Sequence, residues 1–535
     1  MAASTVTALE NLTPTTTARK SATLAGWTLV SRATGLLRVV VIGAVLGPTY
    51  FANAFQTGYV VPNLVFTLIA GPVLAMVLVP GVVRAVGAGG VARAREVLGG
   101  VAGRLLTVSV AVVVLLMILS PVVAWTLTFG IPDPAAQAHG RWLTTLLVLL
   151  VAPQVPLYVL VHLGMAAQQA RGRFALAAGA QVVENGILIL TVVLAGWYYG
   201  TGLDVEHVTV TMVIALGAGS TAAVALHAAL QLFGTARVGL LTWPSRWRRD
   251  PEASAVTRRL VRSVGVAACP AAAMYVLLAL AGSVPGGVFV VQLSYSVFYS
   301  LSYISARAVS MAALPGLAHA AHREDGATFG AQWRQGLSYA VVASLPLLVL
   351  LALNSVPTAN ILANGELRHA ALIGPLATCL GVVAVAQLVG GVHDIGRQAL
   401  FARLDDRIPR RASAVAFGVI LVAAAAALLL PADGSRLVWL VMAILAGEFA
   451  AAGTVLTRLR RTMWPERFLE PRPLIAALVA TFAIVPVAAA MWVLAQLNGG
   501  DRLADLALLA LGAAVALGVY VLVLRVAVRR IGGGS

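Results

Sequence analysis

The chain has 535 residues, 60% of them hydrophobic and 11% charged, with a formal net charge of +17. Soluble globular proteins carry about 25% charged residues, so a soluble fold is excluded, and nucleic-acid binding is not the reading of the basic balance, which follows instead from orientation in a membrane. Two cysteines, Cys269 and Cys379, fall in separate apolar segments and supply neither metal-ligand spacing nor a disulfide framework.

Residues 1–22 are polar, rich in Ala and Thr, and lack the apolar stretch of a signal peptide, which predicts a disordered cytoplasmic tail. About fourteen apolar runs follow, each long enough to cross the hydrocarbon: 24–47, 54–83, 105–129, 142–168, 175–199, 207–234, 260–282, 286–313, 335–357, 370–396, 412–431, 437–457, 473–496 and 503–524. The predicted fold is therefore an all-α polytopic membrane protein. Its expected units are a first bundle of six spans (23–234), a basic linker (235–259), a second bundle of six (260–457), a basic loop (458–472) and two final spans (473–530). Trp243 and Trp247, set among Arg246, Arg248 and Arg249, suit either a short interfacial helix on anionic headgroups or a plain connector.

Basic residues alternate with the loops. With the N-terminus inside, 30 of the 37 lie in cytoplasmic segments and only Arg141, Arg368, Arg436 and Arg502 in the opposite loops. This positive-inside pattern predicts an even number of spans with both termini cytoplasmic. Prolines interrupt several spans: Pro62, Pro72 and Pro80, then Pro153 and Pro156, then Pro270. Such breaks free carbonyls and permit bending.

The first span carries Arg32 and Arg38, each anchored roughly 4.5 Å from mid-membrane by helical rise. Charge at that depth is costly and usually faces a water-filled cavity and a ligand. A guanidinium stays protonated and its planar fork of donors fits phosphate oxygens, so the expected ligand is an anion. Six positions apart, the two side chains diverge by about 120° around the helix. Further cavity or gate candidates are Asn53, Gln56 and Asn63, then Glu184 and Asn185, and Ser296, with Glu184 either a counter-ion, a proton site or a residue merely bonded to a neighbouring helix. Arg307 is expected to snorkel, His393 and Asp394, near Arg397, either to form an inner-gate ion pair or to lie at a solvated helix end, and Glu448 shows no evident partner.

Several of these residues fall in recognisable motifs. Ser31-Arg32-Ala33-Thr34-Gly35-Leu36-Leu37-Arg38, Asn53-Ala54-Phe55 and Val61-Pro62-Asn63-Leu64 resemble the N-terminal signature of the MurJ (MviN)-like lipid II flippase family, within the multidrug/oligosaccharidyl-lipid/polysaccharide (MOP) exporter superfamily. Arg173-Phe174 followed by Asn185, Leu314-Pro315-Gly316-Leu317, and the cytoplasmic stretch Phe401–Pro409 with Arg403, Asp405 and Arg407 are similar to further family motifs. The resemblance implies a flippase that moves a polyprenyl-(pyro)phosphate-linked cell-wall precursor across the bacterial plasma membrane. It implies phosphate binding by Arg32 and Arg38 and a lipid-tail groove near the last two spans. It also marks departures: Asn53 stands where the family has an aspartate, Phe66 and Ser296 where it has arginines, and Val39 where it has an acid; span seven has no Asp or Glu for a sodium site.

The expected activity is translocation by alternating access, with no enzymatic step, no cofactor and no metal. The expected partners are a polyprenyl-linked glycolipid, membrane lipids and cell-wall synthesis proteins, and no nucleic acid. Two alternatives stand beside it: a drug or metabolite antiporter of the same superfamily using Glu184, and a transport-dead scaffold for cell-wall synthesis. A glycosyltransferase would need paired carboxylates in the outer loops, where Asp133, Asp204, Glu206, Glu366, Asp433 and Asp501 are scattered.

Overall fold

A computed structural model describes residues 14–69, 73–245, 251–368, 371–463, 469–499 and 501–532. The described residues form α-helices joined by short turns. The first bundle comprises α1 (Pro14–Leu46), α2 (Tyr50–Ile69), α3 (Val73–Ile118), α4 (Ser120–Thr128), α5 (Pro134–Val151), α6 (Gln154–Ala170), α7 (Ala175–Tyr199) and α8 (Val210–Arg237). The second comprises α9 (Pro251–Ala281), α10 (Gly287–Ile304), α11 (Ala306–His322), α12 (Gly326–Leu353), α13 (Ser355–Leu362), α14 (Ile373–Ala402), α15 (Arg407–Ala427) and α16 (Gly434–Met463). Two last helices, α17 (Pro471–Leu497) and α18 (Arg502–Gly532), pair with each other, and α17 lies on α12.

Twelve of the described helices are long and apolar enough to cross a membrane. The other two expected spans are α2, carrying Asn53, Gln56, Asn63 and an internal Pro62, and α9, whose apolar part is Val266–Ala281. The 46-residue α3 would be roughly 69 Å long if straight, more than twice the hydrocarbon thickness. It breaks at Gly89–Gly90, where Gly90 adopts φ +68, a conformation open to glycine, so its two arms serve consecutive spans. The chain also breaks at Ala152–Pro153, between α5 and α6, one of the predicted proline sites.

Three differences from the sequence expectation are local. Helix α1 starts at Pro14, so the polar tail is helical over its last third. The 238–245 stretch is irregular, with Trp243 almost fully exposed; Arg246, Trp247, Arg248 and Arg249 lie outside the described residues. The linker between α8 and α9 is also shorter than 235–259, because α9 already starts at Pro251.

The packing is asymmetric between the two faces. Toward the arginine-poor loops, one apolar core unites both bundles and includes Val39, Phe51, Phe55, Leu143 and Leu188 together with Leu278, Phe289, Leu380 and Leu440. Gly43 permits this approach: a Cβ there would lie 3.2 Å from both Phe289 and Leu367. Toward the arginine-rich loops each bundle has its own core. Phe66, Leu78, Val97 and Leu163 belong to the first, and Leu317, Trp333, Ile395 and Leu459 to the second. Ala253, at the start of α9, packs into the first bundle's cluster, so α9 passes from one bundle to the other.

Candidate functional site

Helix α1 runs unbroken through Gly35 and presents its two arginines in different directions, as their six-residue spacing requires. Arg38 faces the first bundle. Its Nη1 donates to Tyr59 Oη on α2 at 3.1 Å and to Asn185 Oδ1 on α7 at 2.9 Å. Its guanidinium carbon also lies 5.1 Å from the centroid of the Tyr59 ring. Asn185 is held in turn by donating Nδ2 to Thr34 Oγ1, 3.0 Å away on α1. Arg38 Nε is buried and has no hydrogen-bond partner among the described residues. A buried orphan donor costs about 1–3 kcal/mol.

Arg32 faces the second bundle. Its guanidinium carbon sits 4.5 Å from the ring centroid of Tyr299 and 4.7 Å from that of Tyr303, both on α10. No carboxylate among the described residues is within ion-pair distance of Arg32 or Arg38. Both arginines therefore rest against neutral partners, Arg38 inside the first bundle and Arg32 across the boundary to the second, which hold a guanidinium without cancelling its charge.

Behind Arg38 lies a buried polar relay. Tyr59 and Tyr158 both donate to Glu184 Oε1, at 3.3 and 3.2 Å, and His227 Nδ1 bonds its other oxygen. His227 meets Gln231 at 3.3 Å, and Gln168 donates to Gln231 Oε1 at 2.6 Å. Glu184 is thus bonded to neighbouring helices and is also the carboxylate behind Arg38, one hydroxyl removed.

The remaining candidates separate by position. Asn53 is buried near the arginine-poor face and touches neither arginine. Its Nδ2 donates to the carbonyls of Gly282 (3.3 Å) and Val284 (2.7 Å), and its Oδ1 accepts from Val288 N at 3.2 Å. It is a clamp between α2 and the α9–α10 turn; the hydrogen bond from Thr201 Oγ1 to Glu366 joins the bundles on the same face. Gln56 is fully buried with both amide atoms unpaired among the described residues. Asn63, one turn beyond Tyr59, is exposed. Ser296 is half-buried and donates to Gln292 O in its own helix, so it makes no contact with the arginines. Phe66 stacks on His162 with centroids 4.3 Å apart.

Arg403, Asp405 and Arg407 form a helix–helix turn. Asp405 Oδ1 accepts from the backbone of Arg407 and Ile408 at the start of α15, its Oδ2 lies 3.6 Å from Arg458, and Arg403 sits over Phe329. The stretch thus positions α14, α15 and α16 at the arginine-rich face and adds nothing to the seam.

Three expectations are corrected. Arg307 does not snorkel: its guanidinium lies 4.7 Å from the Tyr303 centroid and 3.9 Å from Asp394 Oδ1. Asp394 is not at a solvated helix end: it is buried, ion-paired with Arg397 as the alternative reading had it, and accepts from Ser310. Glu448 has a partner, His393 Nδ1 at 2.9 Å. Tyr59, Tyr158, Tyr299 and Tyr303 were not singled out in the sequence, although the i, i+4 spacing of Tyr59 with Asn63, Tyr158 with His162 and Tyr299 with Tyr303 was a usable signal.

The architecture defines a class: a polytopic helical membrane protein with two bundles and a cationic seam between them. Residues 42–500 match the sequence profile of the lipid II flippase MurJ, and the chain belongs to this family. Among solved structures, it is similar to "Lipid II flippase MurJ, inward closed conformation" at 13% identity and TM-score 0.67, covering 95% of this chain and 98% of that one. It is also similar to an inward-facing multidrug resistance MATE family transporter of the MOP superfamily (16%, TM-score 0.59, 81% and 94% covered). A third likeness is to a MOP superfamily transporter from Pyrococcus furiosus (15%, TM-score 0.55, 83% and 95% covered). At these identities the solved structures carry the fold.

Proposed function

We propose that this protein flips a polyprenyl-(pyro)phosphate-linked cell-wall precursor, lipid II or a related lipid-linked glycan, across the bacterial plasma membrane by alternating access. One observation carries the reading beyond family membership: Arg32 and Arg38 lie in one apolar helix, one turned to each bundle, against tyrosines and an asparagine instead of carboxylates. Those partners leave two permanent charges available to a phosphate. The arginine-rich face is the cytoplasmic one, with both termini on it, in accord with the loop charges. On this orientation the separate cores face the cytoplasm, where the headgroup enters, and the shared core with the Asn53 clamp closes the far side.

In the cycle, the headgroup phosphate engages Arg38 through its free Nε while Asn185 keeps the guanidinium in place. The bundles then rock, the Asn53 clamp opens and the headgroup leaves; the lipid tail stays in the bilayer. An inside-negative potential assists outward movement of the anion by about 2.3 kcal/mol per charge per 100 mV. No covalent bond changes.

The test is depletion in the native cell, followed by identification of the polyprenyl-linked lipid that builds up on the inner leaflet. Accumulation rescued by the unmodified gene, but not by Arg32→Ala or Arg38→Ala, supports the proposal. Rescue by both variants would leave a scaffold for cell-wall enzymes. A second reading, a superfamily antiporter, draws on the buried Glu184–His227 pair. It requires Glu184→Gln to abolish transport while Arg32→Ala is tolerated.

A further inference from the structure

Glu184 is the one buried acid of the first bundle among the described residues; Glu96, Asp133, Asp204 and Glu206 are exposed. The titratable and charged groups around it are Arg38 on α1, Tyr59 on α2, Tyr158 and His162 on α6, and His227 on α8. The amides behind His227 fix where the protons lie. Gln231 Oε1 accepts from Gln168 at 2.6 Å, so Gln231 turns its Nε2 to the carbonyl of Ala177 (3.3 Å) and to His227 Nε2 (3.3 Å). An amide nitrogen donates. His227 Nε2 therefore accepts, and the proton of the ring sits on Nδ1 and is donated to Glu184 Oε2. The imidazole is neutral, and Glu184 is a carboxylate that offsets Arg38 through Tyr59. The polar chain continues from Gln231 to Gln168 and Thr235, in the last turns of α6 and α8 at the arginine-rich face.

A phosphate at Arg38 upsets this balance, because two anions then share one cation in a poorly polarisable interior. A proton restores it, and the geometry directs that proton to one atom. His227 Nε2 faces an amide donor and has no room for a second one. Glu184 Oε1 gains the proton when the Tyr59 hydroxyl reverses: Oε1 then donates to Tyr59 Oη, and the phenol turns its own proton from Glu184 to the phosphate. Tyr59 Oη keeps the hydrogen bond it accepts from Arg38 Nη1 throughout. We infer that Glu184 is a proton-binding site that fills together with the headgroup anion, with Tyr59 as the hydrogen-bond switch between proton and phosphate. The inference rests on the proposed function and supplies its coupling. By linkage, each of the two ligands strengthens the other by the same factor. An antiporter binds proton and cargo in alternation, so the sign of the coupling separates the two.

The experiment measures binding of farnesyl-pyrophosphoryl-N-acetylglucosamine to the full-length protein in detergent, by calorimetry in buffers of different ionisation enthalpy. Both phosphates of this probe are esterified, so it exchanges no proton of its own near neutral pH, and any proton taken up belongs to the protein. The unmodified protein should take up about one proton per probe bound, and affinity should fall as pH rises between about 6 and 8, by up to about tenfold per unit. Glu184→Gln should abolish both the uptake and the pH dependence. In the unmodified protein, an infrared difference spectrum should gain a protonated-carboxyl band when the probe binds. Release of a proton on binding would overturn the inference and indicate alternation instead. Binding without proton exchange, or uptake that persists in a folded Glu184→Gln protein, would overturn it and leave the proposed function standing. Where Glu184→Gln does not fold, the infrared spectrum decides: binding without the new band overturns the proton site. Failure of the unmodified protein to bind the probe would sink both this site and the proposed function.

Discussion

Arg38 and Glu184 share one hydroxyl without touching: Tyr59 Oη accepts from Arg38 Nη1 at 3.1 Å and donates to Glu184 Oε1 at 3.3 Å. A contact ion pair would neutralise the arginine, and breaking it would oppose every encounter with an anion. Interposing a phenol keeps the carboxylate near enough to offset part of the cost of a buried cation, while the guanidinium keeps its donors.

Tyr59→Phe tests this arrangement. The substitution keeps the ring and removes the link, leaving a buried donor on Arg38 without its partner, at a cost of about 1–3 kcal/mol. Denaturation in detergent should show that loss. Pyrophosphate affinity should fall as well, because Arg38 can then turn toward Glu184.

The Glu184–His227 pair is buried, with about 5% side-chain exposure on both members. Removing one partner of such a pair costs about 3–5 kcal/mol. His227→Leu should therefore destabilise strongly, whereas Glu184→Gln combined with His227→Leu should lose less than the sum of the single changes. A double-mutant cycle of unfolding free energies measures the coupling; strict additivity would show that the contact is energetically empty.

Asn53 is suited to its place because its amide both donates and accepts. Asn53→Asp deletes the donors to Gly282 O and Val284 O and sets a carboxylate against two carbonyls. The variant should open the arginine-poor face. A cysteine introduced at Val288 should then react faster with a membrane-impermeant thiol reagent than it does beside Asn53.

Tyr299 and Tyr303 hold Arg32 through their ring faces, at about 0.5–2 kcal/mol for each cation–π contact. Phenylalanine at both positions should preserve the contact between α1 and α10. Leucine at both should widen it, read as a longer distance between spin labels on the two helices.

The architecture was legible because its signals are local or periodic. Apolar runs mark spans, loop arginines alternate, and Arg32 and Arg38 stand out against an apolar helix. Their divergence followed from helical geometry alone, and the structure sends them to different bundles. What the sequence hid depends on partners far along the chain. Nothing near Asn53 announces that it will meet carbonyls at 282 and 284, and nothing near Glu448 points to His393, 55 residues earlier. Arg307 was misjudged by its place near a helix end; the break at Ser305 and the stack on Tyr303 arise only once α10 and α11 pack. The shared ring between two arginines is likewise invisible until α1 and α10 are side by side.

The unequal distribution of apolar cores makes the two open forms energetically unlike. Parting the bundles at the arginine-poor face means separating Phe289 from the Gly43 surface and wetting what had been dry, at about 25 cal/mol for each Å² exposed. At the other face, among the described residues, the two bundles keep separate apolar clusters, bridged by Ala253 of α9. On the proposed orientation and cycle, hydrophobic burial therefore favours the form closed at the arginine-poor face, and the uphill half is the one that carries the load.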